Sequence, residues 1–214
     1  EDTAELIATI HADDDLIREA ALARHDMPPA VVTKLINRSA DKVEANLKTY
    51  PGMSDTRARD VAQATGERAR ATFIGEDWPA ARLYDYAKSL DRSGKLTPRL
   101  ILRAAGRGDM RFGVAALSVL GGQSVEKTRL MVLAGGEIGV KAAAVRARFK
   151  GYEIACLVKT VEIYNSLEGR VRTAAVFQRR VVERLLSSEL DLPEDIELEL
   201  LDVLDGYARP RQVA

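Results

Sequence analysis

The sequence predicts an all-α protein built as HEAT-like helical hairpin repeats, with a more bundle-like C-terminal part. Three observations carry that expectation. Aromatic residues make up only 5% of the 214 residues, while Ala, Leu, Val, Arg and Glu dominate, the composition of closely packed aliphatic helices. Apolar residues recur at spacings of three and four, and strand-like alternation is almost absent. Prolines, glycines and capping residues then divide the chain into short helical segments.

Taken in order, Glu1 to His11 reads as the end of a helix. Because the chain opens on Glu1 instead of Met, the expectation is a start inside a longer protein. Asp13 to Asp15 supply caps for a helix carrying Leu16, Ala20 and Ala23, ending near His25. Pro28 and Pro29 start the next, since a first turn does not miss the absent N–H. Its apolar face is Val32, Leu35 and Ile36. Ser39 is expected to cap a separate helix with Val43 and Leu47 inward, stopped by Tyr50-Pro51-Gly52. Ser54 or Asp55 opens a polar, alanine-rich helix to about Ile74. Asp77 caps another, with Pro79 in its first turn and Trp78 as a packing staple beside it.

Thr97-Pro98 starts a helix that Gly106 or Gly108 ends. Asp109 caps one with Phe112, Ala116, Leu117 and Leu120, closed by Gly121-Gly122. Ser124 opens a third, closed by Gly135-Gly136; both glycine pairs read as left-handed C-caps. Further helices are expected at about 138–149, 152–166, 170–188 and 194–208, with fraying beyond Tyr207. The domain reading is an N-terminal repeat segment, 1–94, and a C-terminal segment, 95–214, packed as one continuous array or as two subdomains.

One pattern occurs twice. At an offset of 69, Pro29 falls on Pro98 and Arg38 on Arg107. At an offset of 70, Leu47 falls on Leu117, Gly52 on Gly122 and Ser54 on Ser124. Both copies read as proline start, apolar helix, short break, second apolar helix, glycine turn and serine cap. Such hairpins bury their faces only against neighbours, which is the logic of a repeat array.

The stretches LTPRLILRAAGRGDMRF (Leu96 to Phe112) and, less fully, RHDMPPAVVTKLI resemble an uncharacterised bacterial family, domain of unknown function 2336, over roughly residues 15–208. The resemblance implies a HEAT-like all-helical fold in a cytoplasmic, mainly alphaproteobacterial protein. It implies no activity and no catalytic residues. Beside that resemblance, the start at Glu1 leads to the expectation that N-terminal repeats of a longer member are absent from this chain.

Net charge is zero, but the charge is segregated. Residues 1–94 hold 13 basic and 17 acidic side chains, and residues 95–184 hold 17 and 7. Residues 185–205 hold no basic and 8 acidic ones. This asymmetry matters more for partners than the total does. Its sharpest feature is a ladder at steps of four: Lys95, Arg99, Arg103, Arg107 and Arg111. One reading is an edge that binds an acidic protein, a phosphate or nucleic acid. The other is a solvated helix face, with Arg103 and Arg107 favoured near a C-terminus by the helix dipole. Further basic groups are Lys141, Arg146, Arg148 and Lys150, then Arg170, Arg172, Arg179, Arg180 and Arg184. The acidic stretch from Glu189 to Asp205 would complement them within the chain or from another copy, which leaves a homodimer open.

Catalytic, cofactor and metal motifs are missing. Gly-Arg-Gly-Asp lacks the lysine and preceding strand of a phosphate loop. His11 and His25 are too far apart for a helical metal pair, and Cys156 sits on an apolar face. Asp13–Asp15 lack the glycine and closing glutamate of a calcium loop. No nucleophile has an activating histidine motif. No apolar run approaches the roughly 18 residues of a membrane span, and one cysteine fits a reducing cytoplasm. The expected function is therefore a non-catalytic scaffold for an unidentified protein partner. The alternative is nucleic-acid or phosphorylated-ligand binding through Lys95–Arg111.

Overall fold

A computed structural model describes residues 3–24, 26–75, 77–167 and 173–208. Among these residues every regular element is helical and no strand occurs. The chain divides into two compact units, Glu1–Leu100 and Ile101–Ala214. The sequence places the division just before Lys95, whereas the units part inside a helix.

The first unit contains α1 (Thr3–Ile10), α2 (Asp15–Leu22), α3 (Pro29–Lys48), α4 (Asp55–Thr72) and α5 (Ala80–Arg92). It is organised around α3, which packs against each of the other four except that its main partners are α4 and α5. Val31, Val32, Leu35 and Ile36 on α3 are buried with Leu83, Ala87 and Leu90 on α5. Opposite them, α4 buries the small residues Ala58, Ala62 and Gly66, spaced by four. Small side chains at that spacing let two helix backbones approach. Phe73, Trp78 and Tyr86 close the unit as an edge-packed aromatic trio, and the Arg82 guanidinium lies 4.3 Å from the Trp78 ring centroid.

Helix α6 (Pro98–Gly106) carries the division between units. The second unit continues with α7 (Met110–Gly121), α8 (Val125–Arg129), a π-helical turn (Leu130–Ala134), α9 (Gly136–Arg146), α10 (Gly151–Ser166), α11 (Ala174–Leu186) and α12 (Glu194–Ala208). Here packing passes along the chain: α7 with α8 and α9, α9 with α10, α10 with α11, and α11 with α12. Neighbour-to-neighbour packing of this kind is compatible with a repeat array. Cys156, Leu167, Phe177, Val181 and Leu185 form a core cluster joined by Leu190, Leu192 and Leu200.

Several local expectations change. Ser39 does not cap a new helix: α3 is unbroken for 20 residues, and the Ser39 hydroxyl donates to the Leu35 carbonyl at 3.0 Å. With neither glycine nor proline between Ala30 and Tyr50, nothing interrupts the backbone ladder. Asp77 is not the cap of α5, because Pro79 occupies the N-cap position. Asp109 occupies that of α7 without a side-chain capping bond. Its carboxylate lies 3.9 Å from Arg107 Nε instead. By contrast, Ser54 and Ser124 accept from the amides of Arg57 and Lys127, and Thr97 accepts from the amide of Leu100. Gly122 is a left-handed C-cap with φ +61°, while Gly135 has φ −84° and Gly136, at φ +59°, opens α9. His25, Arg170, Arg172 and the fraying expected beyond Tyr207, apart from Ala208, lie outside the described residues.

The π turn sets the position of α9. A Cβ built on Gly139 would lie 2.2 Å from the Met131 carbonyl oxygen, and one on Gly135 would lie 2.6 Å from it. Only glycine admits backbone-on-backbone packing this close. Val140, Ala143 and Ala144 then face inward, and the opposite side of α9 faces solvent.

Candidate functional sites

The Lys95–Arg111 ladder does not form a uniform basic edge. In the first unit, Lys95 is exposed and Arg99 is 31% exposed, with its Nε 3.7 Å from the buried Glu67 carboxylate. In the second unit, Arg103 retains only 11% exposure and donates to Glu199 on α12 at 2.5 Å. Arg107 faces Asp109 at 3.9 Å, and Arg111 is exposed. Arg103 has thus become part of the packing between α6 and α12, and its charge is largely answered within the chain. Arg99 and Arg107 also have carboxylates nearby, which leaves less of their charge for an external anion.

A polar cluster buried in the first unit was not singled out in the sequence. Glu67 and Arg70, both on α4, are 1% and 2% exposed. Thr97 Oγ1 donates to Glu67 Oε1 at 2.8 Å, and Arg70 Nη2 donates to Asn37 Oδ1 at 2.6 Å. The Tyr86 hydroxyl donates to the Arg70 carbonyl at 3.2 Å. A Cβ on Gly66 would lie 2.8 Å from Arg70 Nη1, so this glycine leaves room for the guanidinium to fold back. Burial lowers the Arg70 pKa and raises that of Tyr86. The cluster has one buried carboxylate. Its bonds join α3, α4, α5 and Thr97, so the cluster acts as a lock between these segments.

The other candidates are likewise accounted for by packing or surface pairing. Cys156 is buried, which pushes its thiol up to about 11 and keeps it protonated near neutrality. Asp14 caps α2. Asp13 accepts two bonds from Arg38 at 2.6 and 2.8 Å, and these hold its carboxyl below the ordinary range. Asp13 and Arg38 also line a cleft of about 230 Å³ with Ile10, Val31 and Leu35. Among the described residues, no three His, Cys, Asp or Glu side chains are grouped to hold a metal. Among the same residues, no helix is long and apolar enough to cross a membrane.

Among the apolar faces left uncovered is the outer face of α9. Ile138 is 83% exposed and Val145 is 61% exposed, with Ala142 between them at helical spacing and also exposed. Leu130, on the π turn, is exposed as well. Lys141 and Arg146 flank the stripe, and Lys127, Arg129, Arg148 and Lys150 are exposed on the adjoining segments. Lys141 pairs with Glu137 at 2.6 Å along the helix surface, a contact that solvent and salt screen. Composition and charge runs point to the lysines and arginines. The exposed apolar stripe was concealed because Ile138 and Val145 look like core residues until the π turn sets which side of α9 faces inward.

The family model described as "Uncharacterised protein conserved in bacteria (DUF2336)" matches residues 1–194, and the chain belongs to that family. No curated protein and no solved structure matches the chain.

Proposed function

We propose that this DUF2336 member is a non-catalytic protein-interaction scaffold in the bacterial cytoplasm, with the solvent face of α9 as its docking edge. The observation that carries this reading is the stripe of Ile138, Ala142 and Val145, exposed and bordered by Lys141 and Arg146. An apolar centre with a charged rim is the usual anatomy of a protein-binding surface. The single thiol and the family's bacterial membership support the assigned compartment.

Binding of nucleic acid or a phosphorylated ligand through Lys95, Arg99, Arg103, Arg107 and Arg111 is the second reading. Exposure of Lys95 and Arg111 favours it, while the pairing of Arg103 with Glu199 weighs against it. One comparison separates the two. Tagged wild-type chain, an Ile138→Ser/Val145→Ser variant and an Arg99→Glu/Arg111→Glu variant are used for affinity capture from a bacterial lysate, with and without nuclease. The scaffold reading expects a stoichiometric protein that survives nuclease and is lost with the α9 variant. Nuclease-sensitive capture, lost only with the arginine variant, would replace it with the second reading.

A further inference from the structure

We infer that the partner for the α9 stripe is α12 of a second copy of this chain, docked reciprocally in a two-fold dimer. The inference rests on the scaffold reading and identifies its occupant. Helix α12 has two working sides. Its inner side is already engaged: Leu200 packs on the Cys156–Phe177 core cluster, and Glu199 pairs with Arg103. Its outer side presents Glu194, Glu197, Leu198, Leu201 and Asp202, all exposed and separated by steps of three, one, three and one, which keeps them along one stripe of the helix. Leu198 is 56% and Leu201 45% exposed.

The two uncovered stripes have opposite character. On α9, Ile138, Ala142 and Val145 are flanked by Lys141 and Arg146; on α12, Leu198 and Leu201 are flanked by Glu194, Glu197 and Asp202. Apolar centres would meet while the net-basic rim of α9, Lys141 and Arg146 with Glu137 beside Lys141, faces the acidic rim of α12, an arrangement that selects partner and register. Both stripes are exposed in the single chain and both belong to the unit Ile101–Ala214. A two-fold pair therefore covers two α9 stripes and two α12 stripes at once. Such a closed arrangement is the commonest form of self-assembly, whereas one-way docking would propagate into a filament. An unrelated acidic helix could satisfy only the α9 half and would leave Leu198 and Leu201 uncovered.

Sedimentation equilibrium of the full chain tests the inference at about 50 mM and about 500 mM salt, conditions that change electrostatic screening severalfold. The wild type is expected to be dimeric at low salt, with its dissociation constant raised roughly tenfold or more at high salt. Lys141→Glu/Arg146→Glu and Glu197→Lys/Asp202→Lys should each be monomeric, since each juxtaposes like charges. Mixed in equal amounts, the two variants restore opposite charges at both contacts and should recover the dimer. This rescue separates docking from misfolding, because an unfolded variant cannot be rescued. A monomeric wild type, a dimer indifferent to both variants, or a mixture that stays monomeric would overturn the inference. If the wild type is monomeric but lysate capture still depends on Ile138 and Val145, the scaffold reading stands and only self-docking falls.

Discussion

The segments Pro29–Lys48 and Pro98–Gly121 start from the same punctuation and end differently. Both begin on proline, and both lead to a left-handed glycine, Gly52 at φ +81° and Gly122 at φ +61°. Each is followed by a serine that caps the next helix, Ser54 onto Arg57 N at 3.2 Å and Ser124 onto Lys127 N at 3.3 Å. Between these shared ends, one segment is a single helix and the other is two. The difference lies in three aligned residues. Asn37-Arg38-Ser39 stays helical, whereas Gly106-Arg107-Gly108 turns, with Gly108 at φ +101°. The surroundings diverge with the backbone. Asn37 accepts from buried Arg70, while its counterpart Gly106 lies near Val181. Arg38 grips Asp13 with two bonds, while Arg107 faces Asp109 next door but one. Shared end signals set where each segment starts and stops; the residues at its centre decide whether it is a rod or a hairpin.

The largest effect is expected from breaking the lock beside the unbroken helix. Arg70→Ala removes the donor to Asn37, leaves Glu67 without a buried positive charge on its own helix, and opens space under Gly66. A loss of about 3–5 kcal/mol is expected for removing one member of a buried charged group, read from urea unfolding. Arg70→Met keeps much of the volume and should lose less. A loss below about 1 kcal/mol for the alanine variant would show that the buried polar cluster does not help hold α3 to α4.

The hairpin's turn comes next. Gly108→Ala forces a side chain into the left-handed region, at a cost of about 1–2 kcal/mol. The space itself is not the obstacle, since the new Cβ would meet Phe177 Cδ1 at an ordinary 3.5 Å. Gly106→Ala is the internal control: its φ is not positive and the nearest atom would be 3.9 Å away. Thermal unfolding should therefore separate the two alanines, with Gly106→Ala near wild type. Equal losses would mean that the two glycines contribute through helix–helix spacing and not through the turn.

This contrast also explains which features could be read from the chain. Prolines, end glycines and serine caps act within a few residues of themselves, so Pro98, Gly122, Ser54 and Ser124 announce their roles locally. Ser39 does not, because a serine can cap a helix or donate back to a carbonyl four residues earlier, and only the surrounding backbone decides. Asp77 and Asp109 mislead for a similar reason: a carboxylate before a helix is a cap only if no other partner or proline takes its place. The Glu67–Arg70 cluster lies in a helix whose sequence reads as polar throughout. Its available signal was the run Ala58, Ala62 and Gly66, which marks a close-packed face with both charges beside it. The basic ladder was fully visible as a pattern, but the partners of Arg99 and Arg103, Glu67 and Glu199, are distant in sequence. The α9 stripe depends on Gly139 resting against Met131, a tertiary fact that periodicity does not contain.

The smallest predicted effect makes the sharpest test of the comparison. Ser39→Gly places in α3 the residue that turns the backbone at the equivalent position, Gly108. If glycine alone dictated the turn, the variant would split α3 after Arg38 and expose the amides of Ala40, Asp41 and Val43. The expectation is otherwise. A glycine in a helix interior costs about 0.5 kcal/mol relative to serine, too little to offset the burial of Val31, Val32, Leu35 and Ile36 on one side of the site and the two bonds from Arg38 to Asp13. Amide exchange should therefore show α3 still protected on both sides of residue 39, with a slight loss of global stability. Loss of protection confined to residues 40–43 would mean that the centre of the segment is set by its own sequence, and that the packing around α3 merely follows.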